Sequence, residues 1–329
     1  MKSNGDEQGL GVTVDVPATT EAGDGRFASS AFVLNEDGSR SFRIIGVSLV
    51  LTACTCMPVI RADPADHAAG GIAFTVSKHT LLDGVHVLSV DSPYQAGTTT
   101  VRVLLPSSLR PGTTCRTLYL LPVEARDGNR YGDGLEEARR TGLADKYSVI
   151  CIAPTFSHLP WYADHPTDPA IRQETYLLRV VLPAVEQAFP ARKEPGSRLL
   201  VGFSKSGWGA LTLLFRHPDI FGRAAAWDAP LAMSWPSRYG SAEIFADESN
   251  FQHYEIGRLL EPSPLRRDAG PRFLLSGYGN FREDMQRVHH RMDELRIPHV
   301  YVDGPQRIHD WHSGWLAEAV EWLAGRDGI

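Results

Sequence analysis

The chain has 329 residues, 43% of them hydrophobic, which is enough for one large core or for a core with a small extra segment. Its net charge is −6 and it has neither a basic patch nor a Lys/Arg-rich run, so nucleic acid is not an expected partner. No internal repeat or heptad series is present, which argues against solenoids and coiled coils.

Residues 1–43 are rich in Gly, Thr, Ser, Asp and Glu and show no apolar period. They cannot bury a core and are expected to be disordered, or to be a leader ahead of the true start. Segment 44–62 differs. Arg43 precedes an uncharged run from Ile44 to Ile60, and Arg61 follows it. A basic flank, a short apolar stretch and small residues describe a secretory signal, and Pro58 argues against a spanning helix. Leu51-Thr-Ala-Cys54 also resembles a bacterial lipobox, which makes Cys54 a candidate for lipidation. Export to the periplasm, the medium or a lipid-anchored site is therefore expected. The other reading of the segment is a buried helix in a cytoplasmic chain.

From about Gly71 to the end, the pattern is that of an α/β domain. Val85–Val90, Thr99–Leu105, Thr117–Leu121 and Ser148–Ala153 read as strands. Ala170–Ala188 carries apolar residues at helical spacing. Strand Arg198–Gly202, helix Gly207–Arg216, and strands Arg223–Trp227 and Arg272–Ser276 follow. Helix Gln286–Arg296, strand His299–Val302 and helix Trp315–Leu323 complete the series. The alternation predicts a mainly parallel central sheet with helices on both faces. The stretch from about 231 to 267 breaks it and is expected to form a small helical cap over the sheet's C-terminal edge, where such folds bind ligands. Cys115 and Cys151 fall on different strands, and no disulfide is expected between them.

Between the fifth of these strands and its helix lies Gly202-Phe-Ser204-Lys-Ser206-Gly207-Trp-Gly209-Ala. A strand entering a sharp turn on Ser, with a helix leaving at once, is the sequence form of a nucleophile elbow. The turn needs small neighbours. Gly202 provides one, whereas Ser206 stands where Gly is usual. Ser206 is itself an alternative nucleophile, but Ser204 and Trp208 then occupy its glycine positions.

Three segments resemble the esterase D-like group of α/β-hydrolases, which includes S-formylglutathione hydrolases, feruloyl esterases and mycolyltransferases. They are the elbow, Trp161-Tyr-Ala-Asp-His165, and His309-Asp-Trp311 after the last strand. The resemblance runs from about Val85 to Leu323. It implies the α/β-hydrolase fold, a serine esterase, and substrate contacts from Trp161, Tyr162, Trp208 and Trp311.

A Ser hydroxyl needs a base, and His309 is the candidate, with His312 as the alternative. The base needs an orienting carboxylate. Asp228, after strand Arg223–Trp227, is preferred over Asp284, which is already entering a helix. An oxyanion needs backbone N–H donors. Lys205 is expected to supply one, and Val123 or Glu124, in the loop after Thr117–Leu121, the other. The group often has His-Gly in that loop, and a Glu side chain there raises the question of repulsion. His-Glu-x-x-His is absent, and no metal or cofactor is expected.

The resulting expectation is a carboxylic-ester hydrolase acting through an acyl-enzyme on Ser204. Its partner is a small-molecule or polymer-linked ester, and any membrane attachment runs through a lipid anchor. The alternatives are an acyltransferase and a non-catalytic ligand-binding relative.

Overall fold

The computed structural model describes residues 74–325 apart from 237, 268 and 269, together with three two-residue strands. Two of these, β1 (Val33–Leu34) and β2 (Arg40–Ser41), pair antiparallel within a separate unit, Met1–Thr55. Most of the leader and signal-like segments, Cys54 included, lies outside the described residues. The end of that stretch, β3 (Ile60–Arg61), pairs with β4 (Thr75–Leu82).

β4 turns into β5 (Val85–Asp91) through Asp83-Gly84, both at positive φ. Two adjacent residues with φ > 0 make the tight turn whose twist suits a hairpin, and Gly accepts it without strain. Then come β6 (Thr99–Leu104), β7 (Arg116–Leu120), helices α1 (Gly134–Arg140) and α2 (Leu143–Tyr147), and β8 (Val149–Pro154). The helical stretch that follows is not continuous. It runs as α3 (Gln173–Tyr176), a wider π-helical turn at Leu177–Val181, and α4 (Leu182–Ala188). Pro183 accounts for the break. It has no N–H to give the Arg179 carbonyl, so the ladder re-registers, and Leu182 N–H bonds to Leu177 O instead.

β9 (Arg198–Phe203) leads directly into α5 (Ser204–Arg216), and β10 (Arg223–Trp227) follows. Residues 231–267 hold three short helices, α6 (Ala242–Phe245), α7 (Glu248–Gln252) and α8 (Ile256–Leu260), then a 3₁₀ turn at Pro264–Arg267. β11 (Phe273–Tyr278), α9 (Arg282–Glu294), β12 (His299–Gln306) and α10 (Trp315–Ala324) complete the chain. α9 begins four residues before the sequence pattern suggests, because its first turn, Arg282-Glu283-Asp284, is charged and carries no apolar period.

Ten strands form one sheet in the order β12-β11-β10-β9-β7-β8-β6-β5-β4-β3. From β12 to β8 every pairing is parallel, and from β8 to β3 every pairing is antiparallel. Two buried clusters cover the two faces. One includes Leu177, Val181, Leu211, Leu214, Val288 and Met292 from the α3–α5 and α9 side. The other includes Leu135, Ala144, Trp315, Leu316 and Val320 from α1, α2 and α10. The parallel half is therefore buried on both sides, as its near-continuous apolar strands require. Cys115 and Cys151 are free and buried. Among the described residues no helix is long and apolar enough to cross a membrane.

Candidate active site

The site lies beyond the C-terminal ends of the parallel strands β9, β10 and β12. Ser204 follows β9, Asp228 follows β10, and His309 lies on the loop after β12. Ser204 has φ 53° and is 9% exposed. A non-glycine residue held in the left-handed region stores strain that persists only where its surroundings fix it. Here the fixing groups are visible. Ser204 N–H donates to Asp228 O at 3.1 Å. A Cβ on Gly202 would lie 2.5 Å from the Ser206 backbone, so only glycine lets strand and helix close this tightly.

Ser206 braces the turn. Its hydroxyl accepts from Phe203 N–H at 3.1 Å and donates to Phe203 O at 2.9 Å. The residue is fully buried and both hydrogen-bonding roles of its hydroxyl are taken, so it is not a second nucleophile. Replacing the usual Gly by Ser has added a clasp across the elbow.

Asp228 also has positive φ, 41°, and is 0% exposed. Its Oδ2 lies 2.5 Å from His309 Nδ1. Asn280 N–H donates at 2.9 Å to both carboxylate oxygens, and Phe281 N–H donates at 2.7 Å to Oδ1. Burial penalises the charge, but the His309 hydrogen bond and the Gly279–Phe281 backbone outweigh it and hold the carboxyl below its usual range. The loop after β11 thus supplies backbone donors to an acid at the end of the neighbouring strand. Asp284 sits in the first turn of α9, 2.5 Å from Arg287, and takes no part.

His309 packs in a cage of rings. Phe203 lies 4.9 Å away, Tyr131 and Phe281 each 5.7 Å, and Trp227 6.1 Å, centroid to centroid. Tyr239, from the 231–267 stretch, meets Phe281 edge-on at 5.6 Å. Tyr131, Tyr239, Asn280 and Phe281 were not legible as site residues, because no motif spacing ties them to His309. His312, the alternative base, is engaged elsewhere. Its Nε2 accepts from Asp133 N–H at 3.3 Å, so Nδ1 carries the proton and meets Glu137 Oε2 at 3.0 Å.

The expected substrate contacts need correction. Trp161, Tyr162, Trp208 and Trp311 are all buried and serve as packing. Trp161 meets Trp208 edge-on at 5.5 Å behind α5. The Tyr162 ring fills the space at Gly209, where a Cβ would lie 2.1 Å from it, and its hydroxyl donates to Pro122 O at 2.6 Å. Trp311 stacks on Trp315 and meets Phe203 edge-on at 5.1 Å. The motif residues matched in sequence therefore shape the wall behind the site, with the Tyr162 ring in the space that Gly209 leaves open.

Lys205 occupies the first turn of α5, where backbone N–H groups lack helical partners. Val123 is buried, and Glu124 is half-buried with Oε2 accepting from Tyr131 N–H at 3.4 Å. Burial lowers the Lys205 ammonium pKa, and the Glu124 carboxylate opposes that shift. Glu124 is thus turned to the Tyr131 amide and balanced by a nearby cation, which removes the reason to expect uncompensated repulsion. A cavity of about 120 Å³ lies behind this loop, lined by Arg102, Glu124, Asp133, Thr155 and Trp311 among others. Ser204, Asp228 and His309 do not line it.

Residues 92–256 match the model of the family described as "Putative esterase". Esterase Rv1288 of Mycobacterium tuberculosis is 28% identical over 144 residues, 40% of this chain. The chain spans 29% of the length of that relative. Among solved structures, an S-formylglutathione hydrolase from Agrobacterium tumefaciens aligns with a TM-score of 0.62 at 18% identity, over 77% of this chain and 99% of the other. One from Staphylococcus aureus aligns with a TM-score of 0.59 at 18% identity, over 75% of this chain and 100% of the other. These likenesses establish the α/β-hydrolase fold, and with half of its length matched by the family model the chain belongs to the esterase family.

Proposed function

We propose that the chain hydrolyses carboxylic esters through an acyl-enzyme on Ser204, with His309 as general base and Asp228 as its orienting carboxylate. The observation that carries this reading is the 2.5 Å contact between Asp228 Oδ2 and His309 Nδ1, beside a Ser held at φ 53°. A carboxylate on Nδ1 keeps the proton there and leaves Nε2 as the base. Ser204 Oγ attacks the ester carbonyl while Nε2 takes its proton. The oxyanion is met by the Lys205 N–H and by an N–H from the Val123–Glu124 turn. The alkoxide leaves with the proton from Nε2, and water repeats the sequence to release the acid. The aromatic cage of Tyr131, Phe203 and Phe281 lowers the dielectric around the imidazolium–carboxylate pair, which strengthens their attraction.

A fluorophosphonate probe tests the proposal. Covalent labelling is expected on Ser204, and Ser204→Ala is expected to lose labelling and to lower kcat on an activated ester by on the order of 10⁴ or more. A folded Ser204→Ala protein with wild-type turnover overturns the proposal.

A further inference from the structure

Far from the catalytic loops, three metal-ligating side chains converge where α9 hands over to β12. His289 and Asp293 lie one turn apart on α9, and His299 opens β12. One ligand atom from each lies within 4.8 Å of the other two, the one such group of three among the described residues. His289 Nδ1 is 2.8 Å from His299 Nε2, which is 3.8 Å from Asp293 Oδ1. On the other edge of the His289 ring, Nε2 is 3.5 Å from Asp293 Oδ2.

Both rings are oriented by groups outside the cluster. His299 Nδ1 meets the Ile297 carbonyl at 2.8 Å, which places the ring proton on Nδ1 and turns the Nε2 lone pair towards His289. The His299 side chain is 3% exposed, so this orientation is set by burial as well. Tyr301 stacks on His289 at 4.2 Å with the planes 16° apart. A carbonyl on the far nitrogen and a fixed ring plane are the supports a metal-bound imidazole needs.

We propose that His289, Asp293 and His299 bind one divalent transition-metal cation of the zinc class, which fastens the end of α9 to the start of β12. The donor set is two imidazoles and a carboxylate, which suits a tetrahedral cation with water at its fourth position. Ligand bonds of about 2.0–2.1 Å set two tetrahedral nitrogens about 3.3 Å apart, so the two rings must part by about half an ångström and turn until both lone pairs meet at the ion, and the proton that His289 Nδ1 donates to His299 Nε2 moves to His289 Nε2, which faces Asp293 Oδ2, or to solvent. Asp293 is 61% exposed, which leaves the open side of the cluster accessible to the ion and its water. The His-x₃-Asp-x₅-His spacing belongs to no familiar motif, and spacing alone does not point to a metal. The cluster becomes visible only when the helix end and the strand start are brought together. β12 separates it from the His309 loop by roughly 23 Å of strand, so the ion is structural.

Isothermal titration of chelator-stripped full-length protein with Zn²⁺, paired with thermal melts, tests this. The wild type is expected to bind one Zn²⁺ per chain at micromolar or tighter Kd and to melt at a higher temperature when loaded. Asp293→Ala, an exposed change that leaves the fold alone, is expected to weaken binding at least tenfold, and His289→Gln to abolish both the site and the shift in melting. His299→Gln is the third arm, and if that variant fails to fold the other two still decide. The absence of saturable binding, or Zn²⁺ titrations unchanged in Asp293→Ala and His289→Gln, overturns the proposal.

Discussion

Asp228→Asn separates the orienting role of the carboxylate from its volume. Oδ1 accepts from Phe281 N–H at 2.7 Å and Asn280 N–H at 2.9 Å, and Oδ2 accepts from Asn280 N–H and faces His309. An amide must put its NH₂ at one of these places. At the Oδ1 place it meets two backbone donors and leaves buried N–H groups unpaired, at about 1–3 kcal/mol. At the Oδ2 place it donates to Nδ1, which forces the proton onto Nε2 and removes the base. The backbone therefore selects the orientation that disables the imidazole. Loss of the right tautomer, with loss of the charge that stabilises the imidazolium, is expected to lower kcat by 10³- to 10⁴-fold, or about 4–5.5 kcal/mol of transition-state stabilisation. The assay is hydrolysis of p-nitrophenyl acetate by protein whose circular dichroism matches the wild type and whose thermal melt lies well above the assay temperature. Because the native carboxyl pKa is depressed, its contribution to stability is complete above about pH 4 and fades as pH falls through the native pKa. The two proteins should therefore differ in stability at neutral pH and converge in strong acid. A folded Asp228→Asn protein within tenfold of wild-type kcat would refute the reasoning.

His309→Ala is expected to match the loss caused by Ser204→Ala, whereas His312→Ala, which removes only the link to Glu137 and Asp133, should stay within about tenfold on the same ester. The opposite ranking would move the base to His312. Glu174→Gln is expected to destabilise the fold by on the order of 3 kcal/mol at pH 7, read by urea unfolding, because burial is outweighed by His217 and Arg216 and the native pKa falls from 4.5 to about 2. The sign follows from the depression: the deficit is full above about pH 4.5 and should shrink as pH falls towards about 2, and a deficit independent of pH would exclude this origin. Gly209→Ala forces a methyl against the fixed Tyr162 ring and is expected to cost about 1–3 kcal/mol in unfolding experiments. It should also lower kcat, by disturbing the Tyr162 hydrogen bond to Pro122; unchanged melting would show that the ring yields freely.

Local chemistry determined much of this protein in advance. Apolar strands of five or six residues alternating with amphipathic stretches specify a buried parallel sheet, because only that packing covers both faces of β7, β8 and β9. Gly202-x-Ser204 read as an elbow because a turn this tight excludes a Cβ at position 202. Sequence order placed His309 last, and strand-end position favoured Asp228 over Asp284. Periodicity did not reveal the π turn at Leu177–Val181, since that depends on a missing donor at Pro183.

Other features depend on contacts between residues far apart in the chain. The Asp228 carboxylate faces His309 and the Asn280 and Phe281 amides, 81, 52 and 53 residues away. The four aromatic residues taken for substrate contacts proved to be buried, because residue type says that a ring prefers to be covered but not what covers it. The role of Ser206 as a clasp, and of His312 as a strut between α1 and the last loop, depends on which partners the fold brings within 3.5 Å. A sequence fixes the preferences of each segment over a few residues. Which carboxylate, ring or amide meets which imidazole is decided by the crossing of strands, and only the tertiary structure contains that information.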